Sequence, residues 1–235
     1  MEKKKIILTA LVAISFLICV YIKSLDSNSN VKNNQDAINF KNEYEALNNK
    51  NLEGNQVYKK IEISEENPII YASYEEIEKI ISEGTGVIYF GFPECPWCRS
   101  IVPVLLDAAK ENGVDKVYYF NALSIRDKKH LDQDGNIVVD DAGTAEYSKL
   151  VSLLYDWLGE YQGLNDSSIK RLYFPTVVFV NEGNIIAAHT GTVDSHTNPN
   201  EELTELQREE LNQIYSNYML RTLGVVCGTD EEKWC

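Results

Sequence analysis

The sequence predicts an α/β fold in which helices flank a central mixed sheet. Two apolar runs, residues 86–92 and 117–120, show no polar alternation, as strands buried on both faces do. A helix-length segment separates them. Residues 172–180 and 184–189 predict two strands joined by the turn Asn181-Glu182-Gly183, which is typical of a hairpin. The order is therefore β-α-β, a long connection, and then β-β-α.

The chain before the first apolar run predicts shorter elements. Residues 57–63 and 69–71 have the composition of short strands. Ser73 predicts a helix N-cap, and Glu76 completes a capping box three residues later. This helix is expected to end near Gly84 and to bury Ile77, Ile80 and Ile81. An earlier stretch, 37–47, has a weak helical pattern made by Ile38, Phe40, Tyr44 and Leu47.

Two further helices follow from periodicity. One begins at Cys95 and Cys98 and runs to about Asn112, with Gly113 past its end. The other covers 201–223, with Leu203, Leu206, Leu211, Ile214 and Tyr218 near one face. Between strand and hairpin lies an insert at about 121–170. It contains a turn at 132–136 and a helix with Tyr147, Leu150, Leu153, Leu154, Trp157 and Leu158. This helix is expected to pack against the domain, and a groove facing the substrate is the alternative.

Composition excludes one class of partner. The 235 residues carry a formal net charge of −14, so the basic surface that nucleic acid requires is missing. Hydrophobic residues make up 44% of the chain, which is ordinary for a globular protein.

The N-terminus predicts export. Three lysines precede an uncharged apolar run at 6–22, which would span roughly 25 Å as a helix. We expect an uncleaved membrane anchor, since the end of the run lacks the small residues of a cleavage site. A lipoprotein modified at Cys19 and a cleaved signal remain the alternatives. All three place the rest of the chain outside the cytoplasm.

These patterns divide the chain into four parts. Residues 1–23 are the anchor or signal, and 24–56 form a linker with a short helix. Residues 57–226 form the α/β domain with its insert, and 227–235 form a C-terminal cysteine loop.

The most informative motif is Cys95-Pro96-Trp97-Cys98, between a predicted buried strand and a helix. A cysteine at a helix N-terminus faces free N–H groups and the positive end of the dipole, which stabilise a thiolate. Cys98 lies one turn further on, where it can close a disulfide with Cys95 or resolve a mixed disulfide.

With this motif, residues 86–223 resemble the thioredoxin superfamily. Pro103 stands where thioredoxins kink the helix, Phe174-Pro175-Thr176 resembles their cis-proline segment, and Gly191 follows the hairpin as a glycine does there. The resemblance implies a thioredoxin-like fold, with Cys95 and Cys98 as the reactive pair. It further implies that Trp97, Phe174 and Pro175 contact the substrate.

Two features depart from that family. Tyr89 occupies the position of the buried aspartate that helps to deprotonate the second cysteine. The insert at 121–170 is longer than the thioredoxin connection and is large enough to cap the active face. Glu94, beside Cys95, is expected to point into solvent.

The chain is similar, more narrowly, to thioredoxin-like bacteriocin transport accessory proteins. The resemblance is carried by 84–98 (GTGVIYFGFPECPWC), 40–48 (FKNEYEALN) and a C-terminal cysteine pair.

The resemblance and the N-terminal run together imply an extracytoplasmic thiol–disulfide oxidoreductase acting on exported cysteine-containing proteins or peptides, with no cofactor. A membrane redox partner is compatible with this function but is not indicated by any residue. The alternative is a non-catalytic binding module for an exporter or an exported peptide.

Other patterns favour structural roles. A zinc site from Cys95, Cys98, Cys227 and Cys235 has unsuitable spacing, so no metal is expected. Residues 132–136 resemble the start of a calcium loop but lack its end, which favours a turn. His130, His189 and His196 show no triad or metal spacing, and we expect all three on the surface or on strands.

We predict a structural disulfide between Cys227 and Cys235, which would pin the C-terminal segment with about 2–3 kcal/mol of loop-closure stabilisation. Thiol labelling before and after mild reductant tests it. The two cysteines should resist reduction longer than Cys95 and Cys98. Equal reducibility, together with loss of turnover at Cys95 when the C-terminal pair is removed, would instead make them a second redox pair.

Overall fold

The computed structural model describes residues 34–51 and 57–225. The apolar run at 6–22, Cys19, Cys227 and Cys235 lie outside the described residues, and so do the predictions that concern them. Within the described part, no helix combines the length and the apolar character needed to cross a bilayer.

The described chain contains five α-helices, two short 3-10 helices and seven strands in α/β order. The α-helices and strands are α1 (34–45), β1 (Ile69–Tyr71), α2 (Tyr74–Glu83), β2 (Gly86–Phe90), α3 (Pro96–Glu111), β3 (Val117–Phe120), β4 (Lys128–Leu131), β5 (Ile137–Asp141), α4 (Ala145–Leu153), β6 (Thr176–Asn181), β7 (Asn184–Thr190) and α5 (Glu205–Thr222).

Five of the strands form one mixed sheet in the order β1-β3-β2-β6-β7. Strands β1, β3 and β2 are parallel to one another, whereas β6 runs antiparallel to both of its neighbours, β2 and β7. The predicted mixed sheet with flanking helices is confirmed, and the arrangement fits a thioredoxin-like fold. The β2–α3 junction, which carries both cysteines, lies at the carboxyl end of a central strand.

The sheet separates two hydrophobic clusters. One cluster contains side chains of α1, α3 and α5 and includes both Cys95 and Cys98. The other contains side chains of α2 and α4. The predicted packing of the insert helix is confirmed for Tyr147, Leu150, Leu154 and Leu158, which are buried there. Trp157 is half exposed.

Local signals placed several elements correctly. Ser73 caps α2 in the predicted capping box, since its Oγ accepts from Glu76 N and Glu76 Oε2 accepts from Ser73 N at 2.8 Å. Glu182 and Gly183 both have positive φ, 49° and 73°, as the tight β6–β7 turn requires. The Phe174–Pro175 peptide is cis.

The strand predicted at 57–63 is wrong. Only an isolated bridge forms, between Asn51 and Val57. Side chains of the preceding segment take the place of a partner strand: Asn48 Nδ2 donates to Ile61 O at 2.8 Å, and Glu45 Oε1 accepts from Ile63 N at 2.7 Å. These contacts satisfy the backbone without a ladder.

The last helix begins later than predicted. Thr204 forms a capping box with Gln207, so residues 201–204 precede α5. Leu203 is buried before the helix begins, whereas Leu206 is 78% exposed, and its predicted place on the buried face is wrong. The buried stripe is instead Leu211, Tyr215, Met219 and Thr222.

The insert is only partly helical. Strands β4 and β5 form a separate two-stranded sheet, joined by the predicted turn in which Asp132 Oδ1 accepts from the N–H groups of Asp134 and Asn136. Helix α4 then packs beside α2 on the sheet face opposite α3. The insert helix therefore covers that face and not the cysteine pair.

Candidate active site

Cys95 is the N-cap of α3. Its Sγ accepts a hydrogen bond from Cys98 N at 3.2 Å, and Pro96 follows at the first helical position, where no N–H is needed. The sulfur therefore takes the place that a capping oxygen usually occupies. Only 6% of the residue is exposed.

This position favours the Cys95 thiolate. The Cys98 side chain lowers the pKa of Cys95. Burial opposes this effect by raising the pKa, and the N–H groups of Cys98 and Trp97 lower it again. The ammonium of Lys59 adds a smaller favourable charge. Cys95 is therefore the better nucleophile of the two cysteines.

Cys98 has the opposite character. Its side chain is completely buried, and burial raises the pKa of this thiol well above the ordinary value. The hydrogen bond with Cys95 raises the pKa further, because the shared proton stays on Cys98. The pair thus combines a more acidic thiol near the surface with a less acidic thiol beneath it.

The other predicted site residues surround Cys95. The Cys95 thiol points to the carbonyl of Phe174 at 3.7 Å, next to the buried Pro175. The rings of Phe174 and Phe92 pack edge to face, 5.5 Å apart. Trp97 is half-buried, and Glu94 is exposed as predicted. The structure therefore brings Cys95, Cys98, Phe174 and Pro175 together, with Trp97 beside them.

His196 corrects one prediction. It lies in the loop after β7 and is 6% exposed, so it is neither a surface nor a strand residue. Its ring contacts Trp97 edge to face at 5.3 Å. Nδ1 and Nε2 bond to Thr192 Oγ1 and Glu201 O, which holds the Trp97 neighbourhood in place. His130 lies on β4, and His189 lies on β7, as predicted.

Arg99 is the largest fully buried side chain, and no sequence pattern predicted it. Its guanidinium, 1% exposed, donates to Lys59 O, Tyr44 O and Asn48 Oδ1 at 2.6–3.0 Å, and more weakly to Pro93 O at 3.4 Å. It thereby joins the active-site turn to α1 and to the segment at Lys59. Hydrophobic periodicity could not predict the burial of this arginine, because its partners are mostly backbone carbonyl groups, which leave no pattern in the sequence.

Lys59 was also missed. Its ammonium donates hydrogen bonds to Ser100 Oγ and to the Glu201 carbonyl, and the distance to this carbonyl is 3.1 Å. Burial lowers the pKa of Lys59. A lysine in a run of mixed charge gave no signal that it would lie near Cys95.

Within the described residues, no cluster of three or more histidine, cysteine or acidic side chains has a metal-binding arrangement.

Comparison with solved structures finds thioredoxin O2 from Arabidopsis thaliana in its oxidized state. The two chains are 18% identical, the match covers 54% of this chain and 85% of the other, and the TM-score is 0.32. No family model and no curated protein matches the chain. The sheet order and the order of elements described above fit a thioredoxin-like fold.

We predict that Arg99→Met lowers the free energy of unfolding by on the order of 2–4 kcal/mol, because it leaves several buried acceptors without a donor. Urea unfolding followed by circular dichroism measures the change. Arg208→Met is the matched control. Arg208 is partly exposed, and its one ion pair, with Glu202, is long at 3.8 Å and therefore weak. Equal midpoints for the two variants would contradict the role given to Arg99.

Proposed function

We propose that this chain is a thiol–disulfide oxidoreductase in which Cys95 reacts with the client and Cys98 resolves the mixed disulfide. One observation carries the proposal. Cys95 caps α3 with its sulfur beside the Phe174 carbonyl, while Cys98 is buried one turn below and bonded to it. The two cysteines therefore differ in accessibility and in acidity, as a two-step exchange requires.

The reductive direction illustrates the chemistry. The Cys95 thiolate attacks one sulfur of a client disulfide, and the other client sulfur leaves as a thiolate that takes up a proton. Cys98 then loses its proton and attacks Cys95, forming the Cys95–Cys98 disulfide and releasing the second client thiol. Two electrons pass from the protein pair to the client. The oxidative direction is the reverse of these steps.

Contacts around Cys95 support a peptide client. The carbonyl of Phe174 lies next to the Cys95 sulfur and is free to accept from a client backbone N–H once the thiol proton is lost. Trp97 and Phe174 are half-buried aromatic side chains that can offer apolar contacts to a client. Pro175 completes this proposed substrate surface.

The proposed clients are exported proteins or peptides with cysteines. Support comes from the apolar run at 6–22 and from the resemblance to bacteriocin transport accessory proteins, both of which are sequence arguments. A membrane redox partner would then exchange electrons with the Cys95–Cys98 pair.

We predict that Cys98→Ser accumulates mixed disulfides with clients through Cys95, because the resolving thiol is gone. Cells that express the full-length variant are acid-quenched and alkylated, and the adducts are resolved on non-reducing gels. Mass spectrometry should find the client joined to the tryptic peptide 80–99, which holds both positions.

The matched control is the double variant Cys95→Ser with Cys98→Ser, which should trap nothing. Adducts at equal levels in both variants would remove the main support for redox catalysis. Turnover of a small disulfide by the wild-type chain that does not exceed that of Cys95→Ser would favour the non-catalytic binding module.

We also predict that the native chain stays in the membrane fraction during alkaline carbonate extraction and keeps Met1, as an uncleaved anchor at 6–22 would require. Mass measurement of the N-terminus accompanies the extraction. A mature form that begins at a lipidated Cys19 would refute the uncleaved anchor while leaving the location outside the cytoplasm.

A further inference from the structure

Four tyrosines surround the buried Cys98. Tyr44, Tyr89, Tyr119 and Tyr215 come from α1, β2, β3 and α5, and all are at most 2% exposed. Burial raises the pKa of each of these hydroxyls, and a negative charge on nearby Cys98 raises it further. The thiol thus lies in a largely aromatic pocket whose polar groups include these hydroxyls, the Cys95 sulfur and the N–H of Phe92.

The position of Tyr89 within this cluster is closely defined. Its hydroxyl lies 2.8 Å from the Tyr44 hydroxyl, and its ring stacks on Tyr119 with centroids 5.5 Å apart. A Cβ atom at Gly91 would collide with the Tyr89 hydroxyl and ring, so the glycine makes room for the phenol. Burial raises the pKa of the Cys98 thiol, whereas the N–H of Phe92 and then the Tyr89 side chain, which packs in the same buried cluster as Cys98, act to lower it.

The resolving step creates a need for such a donor. Cys98 must become a thiolate in order to attack, and burial without water or a cation disfavours the charged form. A hydroxyl that donates to the sulfur stabilises the thiolate more than the thiol. If Tyr44 donates to the Tyr89 oxygen, the Tyr89 proton is left to point at Cys98, and the two hydrogen bonds strengthen each other.

We propose that Tyr89 is a catalytic residue of the resolving step, donating a hydrogen bond to the Cys98 thiolate, and that Tyr44 is the positioning residue that orients its hydroxyl. This inference rests on the proposed function for its biological use. The hydrogen bond itself is tested by chemistry at Cys95 and Cys98 alone.

The step is balanced by the groups already named. Cys98 releases a proton, its sulfur bonds to the Cys95 sulfur, and the bond between Cys95 and the attached thiol breaks. The departing thiolate takes up a proton, so no further oxidant or reductant is needed. Tyr89 stays protonated throughout, because burial holds the pKa of its hydroxyl well above the ordinary value.

Other ionisable groups near Cys98 are few among the described residues. Cys95 shares a hydrogen bond with it, and Tyr119 and Tyr215 face it from the neighbouring strand and from α5. Glu43 is the carboxylate beside the cluster. It contacts Tyr71 and Tyr119, and burial raises its pKa. A pH profile of the resolving step therefore reports the Cys98 thiol together with these neighbours.

The test follows the two exchange steps separately in the full-length chain. Reduced protein is mixed with oxidised glutathione and quenched with acid. Mass spectrometry of peptide 80–99 then distinguishes its glutathione adduct from its internal disulfide. For Tyr89→Phe we expect the second step to slow by roughly ten- to hundredfold at neutral pH, the range for losing a hydrogen bond to a charged group. Its pH profile should shift to higher pH, while the first step changes by less than about twofold.

Tyr44→Phe should shift the profile in the same direction by a smaller amount. Tyr147→Phe is the control, since it removes a buried hydroxyl on the opposite face of the sheet and should leave both steps unchanged. A folded Tyr89→Phe with the wild-type second step and pH profile would overturn the proposal, and so would an equal slowing in Tyr147→Phe. The outcome is independent of the client: trapping can fail in cells while this hydrogen bond is confirmed, and the reverse also holds.

Discussion

The buried guanidinium of Arg99 is the constraint on which the arrangement around the cysteines depends. A permanent charge removed from water is costly unless each of its N–H groups finds an acceptor. Arg99 projects from the first turn of α3, and the acceptors come from Tyr44, Asn48, Lys59 and Pro93. The segment before β1 must therefore dock against the start of α3, or the charge is left unpaired.

Docking of this segment changes the surroundings of both cysteines. Tyr44 illustrates the link, because its carbonyl accepts from Arg99 while its hydroxyl bonds to Tyr89 below Cys98. On the other side, Lys59 lies near Cys95 and adds positive charge to the dipole of α3. Helix α1 and the segment at Lys59 therefore contribute to the surroundings of the two cysteines as well as to the hydrophobic core. Phe40 and Tyr44 fill that core beside Tyr119.

Sequence patterns predicted the elements whose signals are local. The apolar run at 117–120 matches β3, the capping box of Ser73 places α2, and Gly113 with φ of 66° follows α3. The cysteine motif itself was readable because a helix N-terminus confers known chemistry on a capping thiol.

The remaining features depend on long-range contacts. Residues 57–63 resemble a strand in composition but bond to side chains of Asn48 and Glu45 instead. Leu206 fits a helical stripe by spacing, yet the cap at Thr204 leaves it facing solvent. Arg99 is buried by acceptors distant in sequence, and His196 packs against the distant Trp97 while its hydrogen-bond partners, Thr192 and Glu201, are local. The sequence resemblance showed that Tyr89 stands where thioredoxins carry a buried aspartate. It did not show that the Tyr89 hydroxyl pairs with that of Tyr44, 45 positions earlier.

The equilibrium reduction potential of the Cys95–Cys98 pair tests the central claim most directly. The full-length chain is equilibrated in glutathione buffers of graded composition, and the oxidised fraction is measured by mass spectrometry of peptide 80–99. A reactive pair should show one two-electron transition between about −270 and −120 mV, the range of thioredoxins, glutaredoxins and disulfide oxidants. A potential below about −300 mV, typical of structural disulfides, would contradict the account.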